Sequence, residues 1–402
     1  VTTASSATLA APSAAFREVW LVSIGHGLTH WYPATFYILL PLIGQELGLS
    51  YSQIGLVITC QYIAGAVSNI PGGMVVDSVQ RKGFLLAISL FWIGFPYLLM
   101  GLSRHYWMLL ACSMLVGIGN NLWHPAAIPT LANRFPRRKG LVLSMHNMGG
   151  NVGDALAPLA VGGLLGFLSW REIVMLNLAP GVLISFLILA YLGTWSTLAR
   201  GGERMAASKG EHLAALLDLL RNRAVAVLVT SSFFRTMTQS ALLVFLPLFL
   251  TREMRYSPFA VGLCLFLLQA AGFAAAPIAG HLSDRMGRSR IVMSSMAVTV
   301  VVLVFMAVAG ASPLFVLFIA LLGFFLYAVR PVLQAWLLEA TPEHRGGTTI
   351  GLLFGAQALG AAISPVVAGV LSDRYGLTAM FWFVTATIVV ANLLILLVPK
   401  ES

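Results

Sequence analysis

The chain has 402 residues, of which 58% are hydrophobic and only 9% charged, with a formal net charge of +10. Soluble domains carry about 25% charged residues, so this composition excludes one and requires a lipid environment. The positive balance does not call for nucleic acid, because the basic residues fall in short loops between apolar runs.

Residues 1–16 are small and polar, without a basic start ahead of an apolar core, and are expected to be a flexible cytoplasmic tail rather than a cleaved leader. Twelve apolar runs follow, centred near residues 32, 65, 92, 119, 153, 183, 236, 269, 300, 326, 358 and 388. Each approaches the roughly 20 residues that a spanning helix needs, and continuous runs argue for helices rather than the alternating short strands of a barrel. The expected fold is an all-α membrane protein with twelve transmembrane helices in two pseudo-symmetric six-helix bundles, residues 17–198 and 223–402. Between them, residues 199–222 form the longest polar interval. Leu213, Leu216, Leu217 and Leu220 stand there at helical spacing, so a short amphipathic helix on the cytoplasmic interface is expected. Of the 24 Lys and Arg residues, 17 fall in segments on the side of both termini, 5 in loops on the other side and 2 within spans, which assigns the termini to the cytoplasm. Cys60, Cys112 and Cys264 lie in spans without metal or redox spacing and are read as packing residues.

The two halves repeat one another. Gly73, Asp77, Arg81 and Lys82 head the first copy of a loop signature, and Gly280, Asp284, Arg285, Gly287 and Arg288 form the second. Pro41 and Pro247, Gly117 and Gly323, Pro125 and Pro331 also correspond across the duplication. Duplicated halves in a membrane chain point to a rocking transporter. The signature Gly280-x-x-x-Asp284-Arg285-x-Gly287-Arg288 matches the cytoplasmic loop motif of the major facilitator superfamily, which the chain resembles over nearly its whole length; the first copy departs from it at Ser78 and Gln80. The resemblance implies the major facilitator fold in a bacterial inner (plasma) membrane. It also implies a conformational latch built from Gly73, Asp77, Arg81, Gly280, Asp284, Arg285, Gly287 and Arg288, in which an acid at a helix C-terminus finds a partner in only one arrangement of the halves. The stretches SIGHGLTH (Ser23 to His30), GIGNNLWHP (Gly117 to Pro125) and HNMGGNVG (His146 to Gly153) resemble the fosmidomycin-resistance branch, whose members are proton-coupled exporters. His30 stands where that branch carries an Asp, and Asp154 where it carries a small residue.

The ionisable groups within the spans are few: His26, His30, His124, His146 and Asp154 in the first half, Arg235 and Arg330 in the second. A charge in a bilayer costs at least a few kcal/mol, so each is a functional candidate. Asp154, Asn147 and Asn151 share one helix face, and Asp154 with His26, His30 and His124 is assigned to proton coupling, His146 being the least secure of the set. Arg235 and Arg330 each precede a Gln by four residues, Gln239 and Gln334. The second half offers no deep acid, so the counter-ion is either Asp154 or the substrate, and guanidinium groups favour carboxylate, phosphate or phosphonate. Asn120, Asn147, Asn151, Trp31 and Tyr327 complete the expected substrate-binding set, with Gln61, Gln269 and Gln357 as further polar lining.

These features predict proton-coupled export of an anionic or amphipathic organic compound by alternating access, an antiporter-like run from Gly153 to Gly163 favouring export. Uptake of a small organic anion by symport uses the same residues. Divalent-metal transport is a third reading, disfavoured because the histidines show no compact ligand motif in sequence and two cations face them. No nucleophile–base constellation, nucleotide motif or soluble domain is present, so neither an enzyme nor an ATP-driven pump is expected. The partners are then a small-molecule substrate, protons and membrane lipid, with no cofactor, no metal and no nucleic acid. One chain supplies a complete pathway, as a monomer.

Overall fold

The structure, a computed structural model, describes residues 12–193, 195, 217–309, 312, 314–342 and 345–399. Its helices in chain order are α1 (Pro12–Glu46), α2 (Tyr51–Ser78), α3 (Lys82–Leu102), α4 (Tyr106–Arg134), α5 (Lys139–Leu164), α6 (Trp170–Leu192, interrupted at Asn177), α7 (Arg223–Arg252), α8 (Pro258–Met286), α9 (Arg288–Ala309), α10 (Phe315–Glu339), α11 (Gly346–Tyr375) and α12 (Thr378–Ile395). Local chemistry sets several starts: Ser50 with Gln53, and Ser169 with Glu172, form reciprocal capping boxes, and Ser257 caps α8 just ahead of Pro258.

Eight of these helices are long and apolar enough to cross a membrane by length and composition, where twelve were expected: α3, α6 and all six from α7 to α12. The remaining four, α1, α2, α4 and α5, run to 35, 28, 29 and 26 residues. They carry His26, His30, His124, His146, Gln61, Asn120, Asn147, Asn151 and Asp154, and those polar side chains lower their apolarity. The last residues of the expected tail are helical, since α1 starts at Pro12; residues 1–11 lie outside the described residues. Of the expected linker, 199–216 also lies outside them, including Leu213 and Leu216. Residues 217–221 are helical, with Leu217 and Leu220 exposed and Leu219 buried.

Packing repeats with the sequence. In the first half α1 packs on α5, α2 on α4, and α3 on α4 and α6; in the second α7 packs on α11, α8 on α10, and α9 on α10 and α12. Between halves, α2 lies along α11 and α5 along α8. This seam is tightest at one end. A Cβ on Gly55 would stand 2.2 Å from the Pro365 carbonyl oxygen, and one on Gly369 2.5 Å from that of Tyr51, so only glycine permits the approach. Thr59 Oγ1 donates to the Ala362 carbonyl at 2.5 Å. The carboxylate of Asp373, at the end of α11, accepts the backbone N–H groups of Tyr51 at 2.7 Å and Ser52 at 2.9 Å, so the second half caps the first helical turn of α2. At the opposite end the seam is open: a Cβ on Gly347, Gly351 or Gly355 meets nothing within 4 Å, and Val67 and Met74 of α2 are exposed.

Replacing Asp373 with Ala removes this cap from the closed end and is expected to weaken closure by about 1 kcal/mol. Spin-label distances between α2 and α11 at that end should then broaden toward longer values; an unchanged distribution contradicts the assignment.

Candidate functional site

In the first half, α1, α4 and α5 bring four imidazoles and one carboxylate together. His26 Nδ1 meets the backbone carbonyl of His146 at 2.6 Å, and its Nε2 faces His124 Nε2 at 3.0 Å. His30, one turn on, bonds Asp154 Oδ2 through Nδ1 at 2.8 Å, the two side chains being 33% and 29% exposed. His146 is fully buried and stacks flat on His26, ring centroids 3.9 Å apart. The bare backbone of Gly150 makes room for this cluster, since a Cβ there would come within 2.8 Å of His26 Cε1 and 3.0 Å of His30 Nε2.

Across the seam, α7 and α10 present the two arginines to a cavity of about 430 Å³. Its wall combines Gln61 and Tyr62 of α2, Asn120 of α4, Arg235, Thr236 and Gln239 of α7, Arg330 of α10 and Gln357 of α11. Arg235 is 2% exposed; it donates to Gln239 Oε1 at 3.0 Å and Thr236 Oγ1 at 3.1 Å, while its Nε has no partner among the described residues. Arg330 is exposed to the cavity. No carboxylate is among the residues lining it. The acid that the sequence offered as an arginine partner, Asp154, is bonded to His30 instead.

The remaining candidates fall into three groups. Asn120 reaches the cavity with a buried, unpaired Oδ1, whereas Gln334 and Tyr327 lie off its wall, Tyr327 with its ring against Gly272. Asn147 and Asn151 are exposed along α5. Trp31 donates to Asn177 Oδ1 at 3.1 Å and lines a separate apolar crevice of about 240 Å³ between α1 and α5. Thr236, which accepts from Arg235, was not among the sequence candidates, since a Thr in an apolar run carries no signal of its own. Tyr37 and Tyr62, two of the aromatic residues that are dense on these helices, meet at their hydroxyls 3.3 Å apart.

In the second loop signature Gly287 closes α8 with φ +92°, a conformation glycine adopts without strain. Arg288 bonds Asp284 at 2.5 Å and Glu339 of α10 at 2.8 Å, so its partners lie in its own half. Gly280, Asp284 and Arg285 stand at the open end, the last two exposed, and Arg81 is exposed in the equivalent loop. The surroundings of Gly73 and Asp77 lie outside the described residues.

A helical membrane chain of duplicated halves with a polar cavity on the seam has the build of a secondary transporter. Residues 19–249 and 228–402 match the Major Facilitator Superfamily. The chain belongs to that superfamily. It is 24% identical to a phosphoglycerate transporter protein of Salmonella typhimurium, over 93% of this chain and 87% of that one. It is also 24% identical to a fosmidomycin resistance protein of Escherichia coli, over 88% of this chain and 86% of that one. Equal identity to both fixes the superfamily and not the branch. A bacterial homologue of the human lysosomal transporter Spinster, solved inward-facing and unoccupied, shares the fold with a TM-score of 0.77 at 15% identity, covering 96% of this chain and 95% of that one.

Arg235 is a buried cation with no carboxylate among the described residues that line its cavity, and an uncompensated charge taken out of water is destabilising. The variant Arg235→Met is therefore expected to melt at a higher temperature than the wild type in the absence of ligand. A lower melting temperature means that Arg235 is held by a structural partner.

Proposed function

We propose that the chain is a proton-coupled secondary transporter with twelve crossings in two pseudo-symmetric bundles, residues 17–198 and 223–402, exporting an organic anion from the cytoplasm by alternating access. One observation carries this reading: two guanidinium groups face one cavity on the seam, and no acid is among the described residues that line it. Unpaired cations at that depth are tolerated when water or an anionic ligand answers them. A cavity of about 430 Å³ is toward the small end of the range for ligand pockets, about 300–1,000 Å³, which fits a compact anion held by Arg235 and Arg330 and oriented by Gln61, Asn120 and Gln239. The phosphoglycerate relative is named for an organic anion, and the resistance relative's name bears on removal of a compound.

The cytoplasmic assignment of the basic loops puts the open end of the seam on the cytoplasmic side, where an exporter loads. Asp154 and His30 are the proposed proton carriers, with His26 and His124 beside them. Gly73, Asp77, Arg81 and the second loop signature are the proposed latch, closing when the open end shuts.

The sign of the electrostatics favours uptake as a second reading. The charge of Arg330 bears on His30, so a proton added to the His30–Asp154 pair raises the positive charge beside the arginine and strengthens its hold on an anion. Export needs proton and cargo to exclude one another; symport needs them to bind together.

Reconstituted vesicles of both orientations separate these outcomes. Export predicts that a proton gradient drives an organic anion such as phosphoglycerate toward the side with more protons, whereas symport drives it the other way. Arg330→Gln is expected to abolish either flux, and Asp154→Asn to leave exchange intact but uncoupled from the gradient. Flux that keeps its full gradient dependence in Asp154→Asn removes that residue from coupling.

A further inference from the structure

We propose that His26, His30 and His124 form a binding site for one divalent cation of the borderline transition-metal type, zinc foremost. One ring nitrogen from each lies within 4.8 Å of the others, a compact set that the sequence spacing did not reveal. The hydrogen bonds to the outer nitrogens fix which atoms face inward. A carbonyl oxygen can only accept, so His26 Nδ1, 2.6 Å from the His146 carbonyl, carries the ring hydrogen and His26 Nε2 presents a lone pair. His124 Nε2 faces that lone pair at 3.0 Å, a contact that one ring hydrogen or one shared cation satisfies. A ring hydrogen serves only those two nitrogens, and a third converges: His30, held through Nδ1 by Asp154, has Nε2 to offer.

Two of the ligands thus have the outer support that metal-binding histidines use, a backbone carbonyl on His26 and a carboxylate on His30, which set tautomer and ring orientation. Three imidazoles suit zinc, copper or nickel and leave a tetrahedral cation one position unfilled. Zinc–nitrogen bonds of about 2.0–2.1 Å imply nitrogens about 3.3 Å apart in a tetrahedral site. The widest separation therefore shortens by about 1.5 Å, within the reach of side-chain rotation at the half-buried His30. Asp154 supplies negative charge behind His30, while Arg330, whose charge bears on both His30 and His124, favours an anion rather than a further cation at the open position. The three histidines are not part of the cavity wall that holds Arg235, so the site is separate from the anion pocket.

The test uses the full chain purified in detergent, stripped with a chelator and titrated with Zn²⁺ alone. The proposal predicts a single saturable equivalent that raises the melting temperature, and, with Co²⁺ as probe, visible absorption of a tetrahedral nitrogen-ligated ion that Zn²⁺ abolishes. Binding should be lost in His124→Gln and in His30→Gln, weakened by about tenfold or more in Asp154→Asn, and unchanged in His281→Gln on the exposed face of α8. No saturable binding to the wild type, or a Co²⁺ spectrum without the tetrahedral band, overturns the site without recourse to any variant. Binding that survives in a folded His26→Gln, His124→Gln double variant overturns it as well. None of these readouts involves transport, so their failure leaves the anion reading standing.

Discussion

The arrangement of this protein depends on one electrostatic imbalance: two guanidinium groups at the seam between the halves, with no carboxylate among the described residues on the walls of the cavity they share. In hydrocarbon such groups are answered by another charge, by water or by a ligand. The surrounding residues are consistent with the last two, since Gln61, Asn120 and Gln239 supply neutral dipoles that orient an anion without neutralising the arginines. The one acid at comparable depth, Asp154, is turned to His30.

The duplicated frame carries different chemistry in each half. His124 and Arg330 occupy equivalent positions, one joining an imidazole cluster and the other facing the cavity. The second half supplies apolar helices with two cations and the amides Gln239, Gln269, Gln334 and Gln357, and the first supplies the imidazoles and Asp154, four of its helices being less apolar than the rest. A seam between unlike halves lets each half bind a different species. Its closed end rests on backbone contacts that only glycine allows, at Gly55 and Gly369, and on the Asp373 cap; its open end has no such contacts around Gly347, Gly351 and Gly355. The halves are thus held where helix backbones touch, and are unconstrained where the loop signatures stand.

The helices were legible because apolar runs and paired prolines mark them directly: each observed helix overlaps one of the predicted run centres. That the ionisable groups lie within helices was legible for the same reason. Pairing was not. Nothing in the spacing of Asp154, His30 and Arg330 says which two meet, because that depends on helix rotation and on the gap left by Gly150. The compactness of the three imidazoles was hidden likewise, since they come from two helices nearly a hundred residues apart. A readable signal was missed at Asp373. Ser372-Asp373-Arg374-Tyr375-Gly376 repeats Ser283-Asp284-Arg285-Met286-Gly287 at another helix end, with the glycine again at positive φ. Trp31 shows the opposite limit, an aromatic expected near substrate that is drawn away by a hydrogen bond to Asn177 at the break in α6.

The central claim is that the missing counter-ion of Arg235 and Arg330 is the ligand. Calorimetric titration of the purified protein with matched pairs of compounds, each an organic acid and its neutral amide of the same shape, tests it most directly. The account predicts saturable binding of the acid and none of the amide, the difference vanishing when Arg330 is replaced by Gln. Equal affinity for acid and amide in the wild type would contradict it.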